Sequence, residues 1–241
     1  MISVCIATYN GERYLRQQLE SVLSQLGEED EVVISDDSST DMTLDIIHSF
    51  NDSRIKLFAH EKKKLPYAIS YPIRNFENAL QHASGDFIFL SDQDDVWLEN
   101  KVQVMMAALE DADFVLSDCK VTDGNLNVLV ESFFKVRHTR LGILSNLKTC
   151  YYQGSCLAFH RCVLEKAMPF PSDMVGHDLW LGLIAETYFR VKLVNEQLML
   201  YRRHDDCVTP SGFKSTHSLW FKIAYRIAAI KSLLFRRLAN I

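Results

Sequence analysis

Cysteine pairs, linkers and long apolar runs are all absent from this sequence of 241 residues. Its six cysteines include no CxxC pair, which argues against a disulfide or zinc framework. No stretch is rich in glycine, proline or serine, so one continuous domain with a C-terminal tail is the simplest prediction. No run of about 18 residues is free of charge, and the sequence therefore predicts no transmembrane helix.

Negative charge is missing locally, because residues 207–241 contain no Asp or Glu but six Lys and Arg. The whole chain carries a net charge of −5, which gives no general case for nucleic-acid binding. The N-terminus starts directly with a strand-like run and lacks the basic region of a signal peptide. These features predict a cytoplasmic protein whose C-terminal end differs physically from the rest.

The tail, residues 213–241, has the pattern of a basic amphipathic helix. Such a helix with aromatic residues favours the interface of a membrane that contains anionic lipid. The alternative is a helix that packs on the domain or on a partner chain. The apolar face of the predicted helix comprises Leu219, Trp220, Ile223, Ile227, Ile230, Leu233, Leu234 and Leu238.

The first 118 residues show a regular alternation of apolar runs and helical spacing. Strands are predicted at residues 2–7, 31–35, 55–59, 87–90 and 114–116. Asn10 can cap the first helix and the acidic cluster at 36–41 the second. The alternation predicts an α/β fold with a mostly parallel central sheet flanked by helices.

The pattern weakens in residues 119–212, the second half of the predicted domain. There we predict a strand at 151–159 and a helix at 175–188. Two short strands follow at 191–194 and 197–201.

Polar side chains follow three of the predicted strands at the points where they end. Thr8, Tyr9 and Asn10 follow the first, an Asp pair at 36–37 the second, and three Asp within residues 92–95 the fourth. Parallel sheets bind ligands at the carboxyl ends of their strands. We therefore expect these groups to converge on one edge of the sheet.

The three carboxylates at Asp92, Asp94 and Asp95 lie close enough to repel one another. Mg²⁺ and Mn²⁺ prefer oxygen ligands and are usually held by one or two carboxylates together with substrate phosphates. The cluster therefore predicts a metal–diphosphate site. The alternative is that Asp94 or Asp95 caps a helix beginning near Leu98, which accounts for one carboxylate but not three. Asp36 and Asp37 likewise read either as a helix cap or as a contact to a nucleobase.

Five segments in this order resemble family 2 glycosyltransferases of the GT-A fold, with a lean toward bacterial O-antigen and rhamnosyl-type transferases. They are VCIATYNG at the start, VISDDSSTD after the second strand, FLSDQDDVW after the fourth, GHDLWL at 176–181 and YRRH at 201–204. The resemblance spans about residues 2–205. The ordered set is far more specific than any one motif.

The resemblance implies an inverting enzyme with Mg²⁺ or Mn²⁺ as cofactor, and it assigns roles to individual residues. Asp178 is the implied catalytic base, and Asp94 with His204 the implied metal ligands. Asp95 is left with a supporting position. The implied donor contacts are Ala7, Thr8, Tyr9, Asp36, Asp37, Arg74, Asp92 and Gln93. The implied acceptor contacts are Gly154, His177 and Trp180.

The resemblance also implies the partners. The donor is a UDP- or dTDP-linked sugar, and the acceptor is a glycan of a surface polysaccharide such as O-antigen, linked to lipid. The protein is expected at the cytoplasmic face of the inner membrane of a bacterium. Two alternatives stay open: a sugar-nucleotide pyrophosphorylase and a non-catalytic, membrane-associated module that binds a nucleotide sugar. The single glycine of TYNGERY argues against the first, because a pyrophosphorylase calls for a glycine-rich basic loop there.

Overall fold

The computed structural model describes residues 1–61, 71–174, 176–204 and 218–238. The first half alternates strands and helices as the apolar runs predict. Its elements are β1 (Ile2–Thr8), α1 (Leu15–Leu23), β2 (Glu31–Asp36), α2 (Thr43–Ser49), β3 (Ile55–Ala59), α3 (Tyr71–His82) and β4 (Phe87–Asp92). The second half is less regular. Its elements are β5 (Val96–Trp97), α4 (Lys101–Leu109), β6 (Phe114–Thr122), β7 (Val128–Val130), α5 (Phe133–Arg137), α6 (Ile143–Lys148), β8 (Leu157–His160), α7 (Arg161–Ala167), α8 (His177–Tyr188), β9 (Val191–Arg202) and α9 (Leu219–Leu238).

One sheet runs through both halves of the described chain, in the order β3-β2-β1-β4-β8-β6-β9-β5, with β7 on the side of β6. Strands β3, β2, β1 and β4 are parallel, and β6 and β9 form a second parallel pair. Strand β8 is antiparallel to both β4 and β6 and joins the two blocks. The predicted α/β sheet flanked by helices is confirmed, but within the described residues it is mixed rather than mostly parallel, because four strand pairings are parallel and four are antiparallel.

The central strands are buried on both faces, which explains why their sequences are continuous apolar runs rather than alternating ones. Val4, Cys5 and Ile6 of β1 have no exposed surface, and neither do residues 32–34 of β2 or 88–90 of β4. Helix α3 packs against β1 and β2. This core fixes where the three strands end, and hence where their polar end residues lie.

Helix caps are the detail in which the sequence prediction fails. Asn10 does not cap α1, which begins at Leu15; it has a φ of 47° and its Oδ1 accepts from the Thr40 amide at 2.9 Å. The acidic cluster at 36–41 is the exception, because its last member, Asp41, accepts from the Thr43 amide at the start of α2, although Asp36 and Asp37 do not. Neither Asp94 nor Asp95 caps α4, because that helix begins at Lys101, after the intervening strand β5.

Two strand predictions in the second half also need correction. Residues 154–156 form a 3₁₀ turn, closed by a bond from the Cys156 amide to the Gln153 carbonyl, and only residues 157–160 are strand. The two predicted strands at 191–201 are one strand, because Val194 pairs with Ser117 and Gln197 with Asp118 across a bulge. An apolar run predicts neither a turn nor a bulge.

Helix α9 packs on the domain through one face and exposes the other. Ala229 is fully buried, and Arg226 donates to the carbonyls of Leu147 and Lys148 at 2.6 and 2.7 Å. Arg236 donates to the Pro169 carbonyl at 2.6 Å. No helix in the described ranges is long and apolar enough to cross a membrane. The rest of the predicted tail, including Lys214, lies outside the described residues.

Candidate active site

The three polar strand ends meet at one edge of the sheet, which confirms the predicted convergence. Thr8 Oγ1 at the end of β1 donates to Asp36 Oδ1 at the end of β2 over 2.8 Å. The Tyr9 amide donates to Gln93 Oε1 over 2.9 Å, and Gln93 Nε2 donates back to the Tyr9 carbonyl over 3.1 Å. The edge is therefore tied together by hydrogen bonds between its three segments.

The two neighbouring aspartates after β2 have different roles. Asp36 is used internally, because its carboxylate accepts from Thr8 and from both the amide and the hydroxyl of Ser39. Asp37 instead has Oδ1 at 2.9 Å from Nδ1 of His60, which follows β3. Of the two, Asp37 is the better candidate for a nucleobase contact. His60 is a neighbour that the sequence pattern did not indicate.

The side chains of Thr8 and Tyr9 point in different directions. Thr8 is fully buried, so its side chain supports the edge rather than contacting a base. Tyr9 is 46% exposed, as an aromatic ring that stacks on a nucleobase would be. Ala7, also a predicted donor contact, pairs in register with Asp92 on β4 and lies beneath the edge.

The three carboxylates after β4 have separate environments. Asp92 Oδ2 accepts from Ser155 Oγ at 2.7 Å; burial, and then the charge of Asp94, raise the pKa of Asp92 to about 6. Asp94 Oδ2 lies 2.8 Å from His204 Nε2. Asp95 is fully buried, and its Oδ1 accepts from the Arg202 amide at 2.9 Å. Burial raises the pKa of Asp95 well above its usual value.

Two buried cations offset part of the charge, in addition to any metal ion. Lys101 is fully buried and donates to the Ser155 carbonyl at 2.5 Å. Arg202 is 3% exposed and donates through Nε to the Asp94 carbonyl at 2.6 Å. The sequence pattern predicted a metal–diphosphate site here but indicated neither of these buried cations.

The carboxylate of Asp94 and the imidazole of His204 suit a divalent ion of the Mg²⁺ or Mn²⁺ type. Among the residues that the structure describes, no three His, Cys, Asp or Glu side chains cluster into a complete site. An ion held by this pair must therefore take its other ligands from diphosphate oxygens and water. This is the binding mode that a metal bridging a nucleotide would use.

His177 and Asp178 are the first two residues of helix α8. Gly176 occupies the capping position, and Asp178 lies in the first turn, where Oδ1 accepts from the Leu179 amide at 2.7 Å. Burial raises the pKa of Asp178 to about 6. In smaller measure than burial and Asp94, the charges of His177 and Asp178 act on the pKa of Asp92, so the start of α8 lies near the end of β4.

His177 has an unusual environment for an imidazole. Its ring packs on Phe76 with centroids 4.2 Å apart, and burial lowers its pKa to about 4, so the ring is neutral at pH 7. Within the described part of the chain, its buried Nε2 has no hydrogen-bond partner. A Cβ at Gly154 would lie 2.6 Å from that nitrogen, so only a glycine lets the imidazole pack this close to the backbone of residue 154.

Two residues that the sequence pattern assigned to the site contact other parts of the protein instead. Trp180 is wrongly assigned to the acceptor: it is fully buried, and its indole donates to the Ala167 carbonyl at 2.9 Å. Arg74 was expected to reach the base or diphosphate; instead it forms an ion pair with Glu77 and donates to the Pro171 carbonyl at 2.7 Å. Both side chains donate hydrogen bonds to the backbone of residues 167–171, so tertiary packing sets the direction in which they point.

The sequence of residues 3–167 matches the glycosyl transferase family 2 profile. A UDP-Glc:alpha-D-GlcNAc-diphosphoundecaprenol beta-1,3-glucosyltransferase of Escherichia coli, WfgD, is 28% identical over 91% of this chain and 84% of its own. A second such E. coli enzyme, WfaP, is 30% identical over 89% of this chain and 82% of its own. The dTDP-rhamnosyl transferase RfbG of Shigella flexneri is 34% identical over 41% of this chain and 34% of its own.

Solved structures support the same fold. Staphylococcus aureus TarS 1–349 in complex with UDP-GlcNAc aligns with a TM-score of 0.71 at 21% identity, over 95% of this chain but 66% of that one. A mannosyltransferase of Pyrobaculum calidifontis aligns with a TM-score of 0.59 at 17% identity, over 99% of this chain and 74% of that one. The predicted GT-A-type architecture is thereby confirmed. On its sequence match and its fold, the chain belongs to glycosyl transferase family 2.

Proposed function

We propose that this protein transfers a sugar, with inversion at the anomeric carbon, from a nucleoside-diphosphate sugar to a hydroxyl of a lipid-linked glycan. The observation that carries the proposal is that Asp94, paired with His204, and Asp178 both lie close enough to Asp92 for their charges to act on its pKa. An inverting transfer needs a base on the face of the sugar opposite the leaving group. These residues come from separate elements, as that geometry demands.

On the donor side, the exposed ring of Tyr9 is assigned to stack on the base and Asp37 to accept a hydrogen bond from its edge. Uracil and thymine both present an N–H that a carboxylate can read, which favours a UDP- or dTDP-linked sugar. Asp92 is assigned to the ribose. Asp94 and His204 would hold Mg²⁺ or Mn²⁺. When bound, the ion offsets the charge that grows on the departing diphosphate.

On the acceptor side, Asp178 takes the proton of the attacking hydroxyl. The bond from that oxygen to the anomeric carbon forms as the bond from the carbon to the phosphate oxygen breaks, and the diphosphate leaves with the electron pair. The unpartnered Nε2 of His177 is assigned to a sugar hydroxyl. A buried polar atom without a partner is costly, and a bound hydroxyl would satisfy it.

The names of the relatives indicate which donor and acceptor should be tested first. WfgD and WfaP are described by name as UDP-Glc-dependent beta-1,3-glucosyltransferases that act on alpha-D-GlcNAc-diphosphoundecaprenol. UDP-glucose carries an α-linked sugar, so a β-linked product means inversion. The mannosyltransferase was solved with GDP-Man and Mn²⁺. These likenesses support an inverting, metal-dependent transferase over a pyrophosphorylase.

The test is a donor screen that measures release of nucleoside diphosphate. UDP- and dTDP-linked sugars are offered with Mn²⁺ or Mg²⁺ and with GlcNAc-diphosphoundecaprenol as the first acceptor. We expect acceptor-dependent release that requires the metal. Nucleotide binding without release for any donor–acceptor pair would favour the non-catalytic module instead.

Helix α9 supports a peripheral location on the cytoplasmic face of the bacterial inner membrane. Trp220 and Leu238 are 81% and 84% exposed, and Ile227 and Leu234 more than half exposed. Lys231 and Arg237 are exposed on the same helix. An apolar face that includes Lys231 among its exposed side chains fits an anionic bilayer, whose surface attracts each basic residue by about 1 kcal/mol. We assign this face to the membrane that carries the acceptor lipid.

The variant Ile227→Ser, Leu234→Ser, Leu238→Ser should bind phosphatidylglycerol vesicles at least about 10-fold more weakly than the wild type, because it loses apolar area at the interface. Flotation measures the bound fraction. Deleting the whole helix is a poorer test, since Ala229 and Arg236 are buried against the domain.

Leu129→Ser provides the matched control, because Leu129 is 62% exposed on β7 and not on α9. The control should float like the wild type, and UDP binding should be unchanged in all three proteins. Equal flotation of the triple variant and the wild type would remove the membrane assignment.

A further inference from the structure

Arg202, the last residue of β9, is the most heavily engaged buried cation near the acidic loop. Its side chain is 3% exposed, yet it is a guanidinium that must stay charged. Its guanidinium donates to two backbone carbonyls and to the oxygen of a side-chain amide. A buried charge with this many directed bonds is costly to place and needs a reason.

One side of Arg202 holds the loop that carries the predicted metal ligand. Nε donates to the carbonyl of Asp94 at 2.6 Å, and the Arg202 amide donates to Asp95 Oδ1 at 2.9 Å. Two residues further on, His204 Nε2 lies 2.8 Å from Asp94 Oδ2. The end of β9 therefore contacts the backbone of residue 94, its carboxylate and the carboxylate of its neighbour.

The other side of Arg202 is anchored away from the loop. Nη1 donates to the Gly124 carbonyl and Nη2 to Gln17 Oε1, both at 2.7 Å. The guanidinium also lies 4.3 Å from the centroid of the Tyr14 ring. These partners belong to α1 and to the turn after β6, so the planar fork joins three parts of the fold to one loop.

We propose that Arg202 is a positioning residue that fixes Asp94 relative to His204, so that both can bind one divalent ion with the donor diphosphate. The inference rests on the proposed function, and it adds a residue that touches neither metal nor substrate. Groups that orient metal ligands from outside commonly change metal affinity by about 10–100-fold when they are lost. A merely structural arginine would instead lower thermal stability and leave the metal affinity of the folded protein unchanged.

The test is calorimetric titration of Mn²⁺ into the full-length protein with saturating UDP, which needs no turnover. In Arg202→Gln we expect the apparent dissociation constant for Mn²⁺ to rise about 10-fold or more, while circular dichroism shows a folded protein. Arg202→Lys keeps the charge but not the fork and should give a smaller rise. The control is Lys192→Gln, because Lys192 lies on the same strand as Arg202 but forms an exposed ion pair with Asp111. This variant should bind Mn²⁺ as the wild type does.

Folded Arg202→Gln with wild-type Mn²⁺ affinity overturns the inference. If that variant does not fold, Arg202→Lys decides: an unchanged constant overturns the inference and a raised one supports it. A wild-type protein that binds no Mn²⁺ with UDP would remove the proposed metal site as well. The two failures are therefore distinguishable.

Discussion

Replacement of Asp178 by Asn should reduce sugar transfer by about 10²–10⁴-fold while leaving binding of the nucleotide sugar intact. The amide is nearly the same size as the carboxylate and can still accept from the Leu179 amide, so the first turn of α8 should be preserved. It cannot take the proton of the acceptor hydroxyl. Steady-state release of nucleoside diphosphate, with a separate UDP-binding titration, measures the two properties independently.

The pH profile adds a readout specific to a base. Burial raises the pKa of Asp178 to about 6, and a base acts only when deprotonated, so kcat/KM should fall as the pH drops below about 6. Asp92 has a pKa raised to about 6 as well, by burial and Asp94, so the wild-type profile alone does not identify the base. Because both groups act on the acidic limb, the residual activity of Asp178→Asn should fall less steeply below about pH 6 than the wild-type activity does.

Asp111→Asn is the matched control, since Asp111 is exposed and paired with Lys192 far along the sheet. It should keep both the rate and the profile of the wild type. Transfer retained in Asp178→Asn would show that another group takes the proton, and the base assignment would be wrong.

The first half of the fold could be predicted from the sequence, because a central parallel strand that is buried on both faces has a continuous apolar sequence. The strand ends then bring Tyr9, Asp37 and the loop after β4 to one edge without further information. The cap predicted at Asn10 was wrong. The Asn10 side chain accepts a hydrogen bond from the Thr40 amide. This contact joins two loops, and residue spacing along one helix does not predict it.

The rest of the site depends on how the second half crosses the sheet. Ser155 meets Asp92 because β8 pairs with β4, and Arg202 meets Asp94 because β9 pairs with β6 and β5. Those pairings bring together residues that are far apart in the sequence: Ser155 is 63 positions from Asp92, and Arg202 is 108 positions from Asp94. Trp180 was misassigned because its inward direction is set by the core, where its indole donates to the Ala167 carbonyl.

Replacement of Asp94 by Ala should abolish metal-dependent binding of UDP and lower transfer by about 10³-fold or more, since the metal supplies several kcal/mol at the leaving group. The Asp94 carboxylate is partly exposed and pairs with His204, so the substitution removes a metal ligand without opening the core. The backbone carbonyl that Arg202 uses is kept. Calorimetry with UDP, with and without Mn²⁺, measures the loss directly.

Asp86→Ala is the control for this variant, because Asp86 lies just before the opposite end of β4 with its side chain 75% exposed. It should bind UDP and Mn²⁺ as the wild type does. Asp92 and Asp95 are poorer metal candidates than Asp94: one is held by Ser155, and the other is buried against the Arg202 amide. If Asp94→Ala still bound UDP in a Mn²⁺-dependent manner, the ion would have to be held by one of these neighbours, and the separation of roles within the loop would be wrong.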